Sequence, residues 1–579
     1  MQPKVMFHPP ALNFHATQWK QRKASQSTWH ALDTAFEKGQ SFADTLLAWR
    51  SDPSAPGKLF FTAFAAESPT ELAPELAGHC FGLLPGVHRI WLEQGQVQLT
   101  LCIGSAPQIG KEINVPADSI CVDVLERWGV KLIARWCKLG SQVQWRGCNI
   151  DAFSELKSAG FQLNIQPNTC RYWPQWTQLK TAPAVQPSSA IVIGAGLAGS
   201  ALAYSLAERG WSVLVMDQGQ ALGAGASGLP AGIFATHVSP DNNVLSRITR
   251  DGVRATVQRA ALLLQRGQDW QLSNLLEHRY AGKRALPEGP QWPAAGLEWS
   301  ASATEHQKQT GGLKPDTPAL WHPLSGWIKT QALVRAQLHH PKITIQTSVC
   351  ADSLVRQDHQ WAVLDPNGRC IAKSQHVILA NAQNCQALLN SVELDPLKST
   401  RDRPVLPMTP LRGQVTYGFM DQLPSTLQDK LPAFPVNGHG SFIGQLPFKK
   451  DSISRPLWMI GSSFQRHDLS TLCRPEDQLS NLKQWAELMP ALHDEILTGL
   501  ELSKTEAWAG IRCALPDRLP AVGAFKNPSF EGIHVCTGMG ARGLSWSVLC
   551  GELLGAKLTH EPLPMAASLA KLMAAERFG

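Results

Sequence analysis

Residues 190–219 read AIVIGAGLAGSALAYSLAERGWSVLVMDQG, and this stretch decides the fold of most of the chain. Residues 190–193 and 211–216 are short apolar runs, which are typical of buried strands. Between them, residues 198–209 have the spacing of a helix, and a glycine-rich turn precedes that helix. The order strand, turn, helix, strand predicts one complete βαβ unit.

The three glycines of the turn suit a dinucleotide phosphate. Gly194 permits a tight turn, Gly196 lets a pyrophosphate approach the backbone, and Gly199 allows close packing of helix on strand. The helix N-terminus offers free N–H groups and a partial positive charge to the phosphates. Asp217 follows Gly199 by 18 residues at the end of the second strand and would accept ribose hydroxyls. The alternative is a glycine turn without a ligand, which this complete context disfavours.

A second strand-turn-helix pattern occurs more than 300 residues later. The apolar run of residues 533–536 leads into Gly538, Gly540 and Gly543, and a helix is expected from there to Leu554. The N-terminus of such a helix stabilises an anion. Two turns of this kind are more specific for a nucleotide cofactor than one.

Three further stretches decide between possible cofactors. They are ALGAGASGLPAG at 221–232, HVILANA at 376–382 and WAGIRCALPDRLPAVGAF at 508–525. Together with the two turns they resemble the D-amino-acid oxidase superfamily, and the resemblance implies FAD as the cofactor. It gives the 221–232 loop three cofactor-binding residues, Ala226, Ser227 and Gly228, and aims the helix after Gly543 at the pyrimidine end of the flavin. Without the resemblance, 221–232 would be an ordinary loop and 376–382 a buried strand of any kind.

The chain also resembles a narrower family along nearly its whole length. The stretches that carry this resemblance include HPLSGWIKTQALVRA at 322–336, RGQVT at 412–416, IGSSFQRHD at 460–468 and GARGLSWSVLCGELLGAKLTHEPLPM at 540–565. They are similar to the bifunctional tRNA 5-(methylaminomethyl)-2-thiouridine biosynthesis proteins, which fuse an N-terminal methyltransferase to an FAD oxidoreductase. The resemblance implies a tRNA partner and oxidation of a carboxymethylaminomethyl group on the wobble uridine, leaving aminomethyluridine and glyoxylate. It also implies a cytoplasmic protein and a monomer.

The carboxylate of that substrate calls for a cation. Arg512 stands where related oxidases place their carboxylate-binding arginine, and a guanidinium fork suits a carboxylate. The alternative is a structural arginine paired with a nearby acid such as Asp517. Arg542, inside the second glycine turn, is the other catalytic candidate, with a solvent or phosphate contact as its alternative. Arg466 and His467 are better explained as a solvated polar loop.

The first 172 residues resemble the methyltransferase of that family only weakly. The family has a turn with three glycines after its first strand, and the matching stretch here is DTAFEKGQSF at 33–42. Only Gly39 remains, while Ala35 and Glu37 add side chains where S-adenosylmethionine should lie. A later family landmark, Asp-Gly-Phe-Ala-Pro, is reduced here to Asp123. We therefore expect a degenerate Rossmann-like domain that binds the methyl donor poorly and serves as a structural or tRNA-docking module.

The predicted fold class is α/β: the degenerate methyltransferase domain, then a doubly wound FAD domain with an antiparallel-sheet substrate domain. The expected bounds are 1–172 for the first domain, 173–188 for a linker and 189–579 for the oxidoreductase, with a substrate subdomain at about 266–324 and 396–499. The net charge of +7 permits a polyanionic partner without requiring one.

The sequence suggests neither a metal nor a membrane partner. The 13 cysteines show no metal-ligand spacing, and residues 1–15 lack the apolar core of a signal peptide. Two other functions remain open. One is a small-molecule amine or amino-acid oxidase of the glycine oxidase type, without RNA. The other is a flavin-containing scaffold protein without turnover.

Overall fold

The computed structural model describes nine stretches of the chain: residues 13–22, 26–113, 117–147, 152–176, 188–279, 285–289, 292–394, 403–450 and 453–579. Most of the predicted linker (177–187) and the start of the predicted second substrate segment (396–402) lie outside these residues. The chain divides into two compact units. The first is Met1–Val185 with Leu558–Ser568, and the second is Gln186–Lys557 with Leu569–Gly579.

The segment Leu558–Ser568 belongs to the first unit, although the sequence gives all of 189–579 to the oxidoreductase. Its place follows from hydrogen bonds inside that unit. The buried guanidinium of Arg89 donates to the carbonyl oxygens of Pro562 (2.5 Å) and Leu563 (3.1 Å). The backbone N–H of Ser568 donates to the Glu112 carboxylate at 2.9 Å.

The first unit contains an eight-stranded sheet. In spatial order its strands are Gly86–Leu92, Val97–Ile103, Lys58–Ala65, Thr28–Asp33, Ala117–Val124, Cys137–Gly147, Thr169–Tyr172 and Phe161–Leu163. The five strands from Val97–Ile103 to Cys137–Gly147 are parallel to their neighbours, and the outer strands pair antiparallel. Its helices are Phe14–Trp19, Gln40–Ser51, Pro74–Ala77, Leu125–Trp128, Val130–Trp136 and Ala152–Ser158. Parallel strands covered by helices are the doubly wound arrangement.

The second unit is built on a six-stranded sheet. In spatial order its strands are Ile343–Gln346, Ser212–Met216, Ser189–Ile193, His376–Leu379, Ile533–Thr537 and Ala521–Ala524. All neighbours are parallel except the last pair. The predicted βαβ unit is present as Ser189–Ile193, helix Leu197–Ala207 and Ser212–Met216, within two residues of the expected bounds.

A larger sheet of nine strands belongs to the same unit. Its strands are Ala301–Ser302, Ala319–Trp321, Leu276–His278, Val436–Gly438, Gly440–Lys450, Ile453–Gly461, Thr409–Phe419, Gln465–Arg466 and Glu506–Ala514. Its pairs are antiparallel except Leu276–His278 with Val436–Gly438. The strand Glu506–Ala514 pairs with Thr409–Phe419 over nine residues, so this sheet extends beyond the predicted substrate segments.

Smaller sheets and helices complete the second unit. One three-stranded sheet contains Gly232–Phe234, Gly326–Ile328 and Trp270–Gln271, and another contains Ser353–Gln357, Gln360–Leu364 and Cys370–Ser374. The remaining helices are Val244–Leu263, Ala294–Leu297, Glu305–Thr310, Thr330–Leu338, Cys385–Ser391, Ser425–Gln428, Pro475–Leu488, His493–Gly499, Gly543–Thr559 and Ala567–Leu572. Among the helices of the described residues, none has both the length and the apolar character that crossing a membrane requires.

Candidate active site

A cavity of about 1270 Å³ lies in the second unit, between the two larger sheets. Both glycine turns line it, at the carboxyl ends of the strands Ser189–Ile193 and Ile533–Thr537. This is where doubly wound folds bind their ligands. Of the predicted cofactor-binding residues, eight line the cavity: Gly194, Gly196, Asp217, Ala226, Ser227, Gly538, Gly540 and Gly543.

Gly199 and Gly228, which the sequence also predicts as cofactor-binding, are absent from the cavity wall. A Cβ atom on Gly199 would lie 1.8 Å from the carbonyl oxygen of Gly194, so this glycine serves the packing of helix on turn. A Cβ atom on Gly228 would lie 3.2 Å from the carbonyl oxygen of Gly223 and 3.3 Å from the indole nitrogen of Trp508. Both glycines therefore pack behind the cavity wall and support the residues that line it.

The first turn requires glycine for a backbone reason as well. Gly194 has φ +110°, and a Cβ atom there would meet the carbonyl oxygen of Ala380 at 2.6 Å. The following helix begins after Gly196, and the N–H of Leu197 donates to the Ser227 hydroxyl at 2.9 Å. Ser227 therefore fastens the second predicted loop to the first turn.

Asp217 stands at the end of its strand, as the sequence predicts. One carboxylate oxygen accepts from the N–H of Ala195 and the other from the N–H of Gly219, each at 2.7 Å. These two bonds fix the carboxylate at the cavity wall. Each oxygen keeps further acceptor capacity for a ligand hydroxyl.

The second turn is equally tight. Gly538 has φ +78° and Gly540 has φ +55°, values that L side chains rarely adopt. A 3₁₀ turn over Gly540–Arg542 leads into the 17-residue helix Gly543–Thr559. The N-terminus of a long helix therefore borders the cavity, with the partial positive charge that such an end carries.

Both candidate arginines line the cavity, and in the part of the chain that the structure describes neither forms an ion pair with an acidic side chain. Arg512 Nη2 lies 3.4 Å from the Ser462 hydroxyl. The Arg542 guanidinium lies 5.4 Å from the centre of the Trp546 ring. Burial lowers the pKa of both arginines, and for Arg542 the nearby charge of Arg518 lowers it further.

The alternative pairing of Arg512 with Asp517 is wrong. Asp517 forms its ion pair with Arg577, at 2.9 Å. The other two polar candidates, Arg466 and His467, are exposed and do not line the cavity. The cavity thus contains two half-buried guanidinium groups whose charges are available to an anionic ligand.

A polar cluster that sequence reasoning missed also lines the cavity, around Glu277, Arg279 and His322. Glu277 accepts from His322 Nε2 at 2.9 Å and lies 3.3 Å from Arg279 Nη2, while Ser300 Oγ lies 2.7 Å from His322 Nδ1. Burial alone would raise the pKa of Glu277, but the bond from His322 and the charges of His322 and Arg279 outweigh it and lower that pKa. His322 opens the stretch HPLSGW, which is the one signal that could have pointed to the cluster.

These residues fit FAD. A Cβ atom would lie 2.6 Å from another atom at Gly194 and 2.7 Å at Gly538, so glycine is needed there and the backbone itself is presented to the cavity. Asp217 is placed for a ribose, and the helix beginning at Gly543 for a developing negative charge. The volume suits a large cofactor together with a substrate group.

In the first unit, the acids at the edge that would hold a methyl donor are bonded within the protein. Asp33 accepts from Ala35 N–H at 2.9 Å and lies 3.8 Å from Arg146, which also pairs with Glu37 at 3.3 Å. Gly39 has φ +90°, and a Cβ atom there would meet Leu76 at 2.7 Å. The surviving glycine thus serves packing.

Asp123, the remaining residue of the family's Asp-Gly-Phe-Ala-Pro motif, also forms its hydrogen bonds within the protein. Asp123 accepts from the Thr34 hydroxyl at 2.6 Å, from Trp128 Nε1 at 2.9 Å and from Arg127 at 2.5 Å. An acid that holds three donors has little capacity left for the amine of a ligand.

A possible cation group lies at the same edge. Ligand atoms of His15, Asp33 and Cys121 are all within 4.8 Å of one another. Arg146 already places a positive charge beside Asp33, and burial raises the pKa of Cys121 well above its ordinary value, which keeps the thiol neutral. We assign no metal to this group.

Comparison with known proteins identifies the family. The tRNA 5-methylaminomethyl-2-thiouridine biosynthesis bifunctional protein MnmC of Polaromonas naphthalenivorans (strain CJ2) is 38% identical over 581 residues, which cover 94% of this chain and 89% of that protein. The chain belongs to the MnmC family. The MnmC protein of Delftia acidovorans (strain DSM 14801 / SPH-1) is 36% identical, over 96% of this chain and 92% of its own.

Two further comparisons concern the flavin half of this MnmC family member. The family model of FAD dependent oxidoreductases, DAO, matches residues 189–557. The crystal structure of glycine oxidase from Geobacillus kaustophilus is similar with a TM-score of 0.48 and 18% identity, covering 65% of this chain and 95% of that one. The predicted family, fold class and FAD cofactor are confirmed, and the chain is an FAD-dependent oxidoreductase.

Proposed function

We propose that this chain oxidises the carboxymethylaminomethyl group on the wobble uridine of tRNA, leaving an aminomethyl group and releasing glyoxylate. The observation that carries the proposal is the pair of half-buried arginines, without acidic partners among the described residues, in the cavity of a flavoprotein whose relatives are named for tRNA thiouridine biosynthesis. We also propose that it acts as a monomer in the cytoplasm, as the family resemblance implies.

Arg512 binds the carboxylate of the substrate. Its guanidinium can donate two parallel hydrogen bonds to the two oxygens, and the low polarity around it strengthens them. The hydroxyl of Ser462, 3.4 Å from Arg512 Nη2, holds the guanidinium in place. Arg542, beside the helix that starts at Gly543, supplies the second positive charge.

The carbon between that carboxylate and the secondary amine is the reacting atom. FAD, when bound, would supply the two-electron oxidation by taking a hydride from this carbon. The lone pair of the amine nitrogen forms the C=N bond of an iminium ion, which becomes the imine when its N–H proton is lost to water. Water adds to the imine, the C–N bond breaks, and the aminomethyl group stays on the uridine while glyoxylate leaves. The protein positions the C–H bond, and Arg512 fixes the substrate from the carboxylate side.

The glycine turns hold the cofactor. Gly194, Gly196 and the N–H groups at the start of the helix Leu197–Ala207 would hold the pyrophosphate, and Asp217 would accept from the ribose hydroxyls. Ala226 and Ser227 approach from the second loop, and the turn Gly538–Gly543 approaches from the other end. Gly199 and Gly228 support these elements by packing.

The methylation that completes the family's pathway is lost or impaired here. The internal bonds of Asp33, Glu37 and Asp123 support this part of the proposal, because they occupy the groups that would meet S-adenosylmethionine. The first unit then contributes structure or tRNA contacts.

The competing function is oxidation of a small amine or amino acid without RNA. The same two arginines would serve it, but the close similarity to MnmC proteins over both halves of the chain favours tRNA.

Anaerobic mixing separates these two functions. The purified flavoprotein is mixed with tRNA carrying carboxymethylaminomethyluridine, with the same tRNA lacking the modification, and with glycine. We expect bleaching of the flavin absorbance with the modified tRNA alone. Equal or faster bleaching by glycine would establish the small-molecule oxidase instead.

A further inference from the structure

A loop next to Arg512 is held rigidly from below. We name residues 464–473 the braced loop. The side chain of Arg412 is fully buried beneath it and donates to the carbonyl oxygens of Ser470 (2.8 Å) and Leu472 (2.6 Å). The same guanidinium donates to Gln465 at 2.8 Å and pairs with Asp477 at 2.6 Å. This network holds both ends of the loop in one conformation.

The braced loop nevertheless exposes large apolar side chains. Phe464 is 54% exposed, Leu469 is 63% exposed and Leu472 is 76% exposed. A flexible loop could turn such side chains inward, but the bonds to Arg412 oppose this movement. Grouped apolar side chains on a rigid surface commonly mark a site of interaction.

The position of Phe464 connects this surface to the cavity. Phe464 lines the cavity, and Ser462, two residues earlier, contacts Arg512. The strand Thr409–Phe419 lies between the braced loop and the strand of Arg512: its Leu411 pairs with Arg466 on one side and with Arg512 on the other. The braced loop therefore lies at the rim of the cavity on the side of the carboxylate-binding arginine.

The charge of the braced loop suits a polyanion. Arg466 and His467 are exposed beside the apolar side chains. The single acid of the loop, Asp468, is paired with Arg474 at 2.7 Å. An aromatic ring, apolar side chains and an exposed guanidinium such as that of Arg466 together suit single-stranded nucleic acid, because bases stack on the ring while phosphates meet the guanidinium.

We propose that the braced loop receives the anticodon nucleotides, with Phe464 stacking on the modified base and Leu469 and Leu472 contacting its neighbours. This inference rests on the proposed tRNA oxidation. A base stacked at the rim leaves its carboxymethylaminomethyl group free to extend inward to Arg512. Rigidity of the loop lowers the entropic cost of holding the RNA.

Two variants with different expected effects test the inference. Steady-state kinetics is measured with modified tRNA and with the free modified nucleoside. Phe464→Ala should raise KM for both substrates by about 5- to 150-fold, the range for one lost stacking contact. Phe464→Tyr, which keeps a ring, should stay within about 2-fold of the wild-type protein. Leu472→Ser should raise KM for the tRNA alone, since the nucleoside has no neighbouring bases.

Leu479→Ser is the matched control, because Leu479 is 45% exposed on the adjacent helix Pro475–Leu488 and lies outside the braced loop. It should leave both KM values unchanged. Unchanged KM values in Phe464→Ala, with its thermal unfolding also unchanged, would overturn the inference while leaving the proposed function intact. A change in oligomeric state in Leu472→Ser would overturn it by showing a protein partner instead. If the wild-type protein oxidises neither substrate, the proposed function itself fails.

Discussion

Replacing Arg512 by methionine separates catalysis from folding. The guanidinium lies in a cavity where, within the described residues, no acidic side chain neutralises it, and burial lowers its pKa. The positive charge of Arg512 therefore destabilises the fold, although the same charge serves to bind the substrate. We expect the variant to unfold at the same denaturant concentration as the wild-type protein or a higher one, and to oxidise modified tRNA poorly.

The size of the effect follows from the contact that is removed. Truncating one partner of a desolvated, hydrogen-bonded charge pair costs about 3 kcal/mol, within a range of 2 to 5. At 25 °C this corresponds to a loss of roughly 150-fold in kcat/KM. The assay is flavin reduction under single-turnover conditions at several tRNA concentrations, with denaturant unfolding measured on the same preparation.

Arg412→Met is the matched contrast, because Arg412 is one position from Leu411, the strand partner of Arg512. Its guanidinium is fully buried and pairs with the buried carboxylate of Asp477 at 2.6 Å. Losing one member of such a pair costs about 3–5 kcal/mol of unfolding free energy. The reasoning is refuted if Arg512→Met is destabilised as much as Arg412→Met, or if it keeps wild-type kcat/KM.

Three more outcomes are expected. Gly199→Ala should lose FAD and about 3 kcal/mol of stability, the upper end of the usual cost of overpacking, because its methyl would lie 1.8 Å from the Gly194 carbonyl oxygen. Gly78→Ala, with nothing within 4 Å, should do neither. Burial lowers the pKa of His534 to about 3, so this histidine stays neutral in the fold but takes up a proton in the unfolded chain below about pH 6.5. The free energy of unfolding should therefore decrease as the pH is lowered from about 6.5 towards 3. In chemical denaturation, His534→Gln should reduce the slope of this decrease by about 1.4 kcal/mol per pH unit. Titration calorimetry of the full chain with S-adenosylmethionine should give no micromolar binding; such binding would mean that the bonds of Asp33 and Asp123 open for the ligand.

Local features of the fold could be read from the sequence. Apolar periodicity predicts the strand Ser189–Ile193 and the helix after it. The turns at Gly194 and Gly538 are marked by glycines, which adopt the positive φ values found there. The packing role that the motif gives Gly199 agrees with its contact with Gly194, whereas its place among the cofactor-binding residues does not agree with its absence from the cavity wall, because the motif gives spacing and not distance. Sequence spacing also cannot reveal which acid an arginine meets.

Contacts between distant residues had no local signal. The strand Glu506–Ala514 joins the larger sheet through a partner almost 100 residues earlier, and a short strand has the same pattern in either sheet. Glu277 meets His322 across 45 residues. Arg412 braces its loop across about 60 residues, and only the fold brings these groups together.

Mass spectrometry of tRNA nucleosides tests the central claim most directly. Purified protein is incubated with tRNA carrying carboxymethylaminomethyluridine, with and without S-adenosylmethionine, and the nucleosides are then identified. The flavin cavity with Arg512 and the internally bonded edge at Asp33 predict aminomethyluridine in both samples. Methylaminomethyluridine in the sample with S-adenosylmethionine would contradict the lost methylation, and intact carboxymethylaminomethyluridine in both would contradict the oxidation.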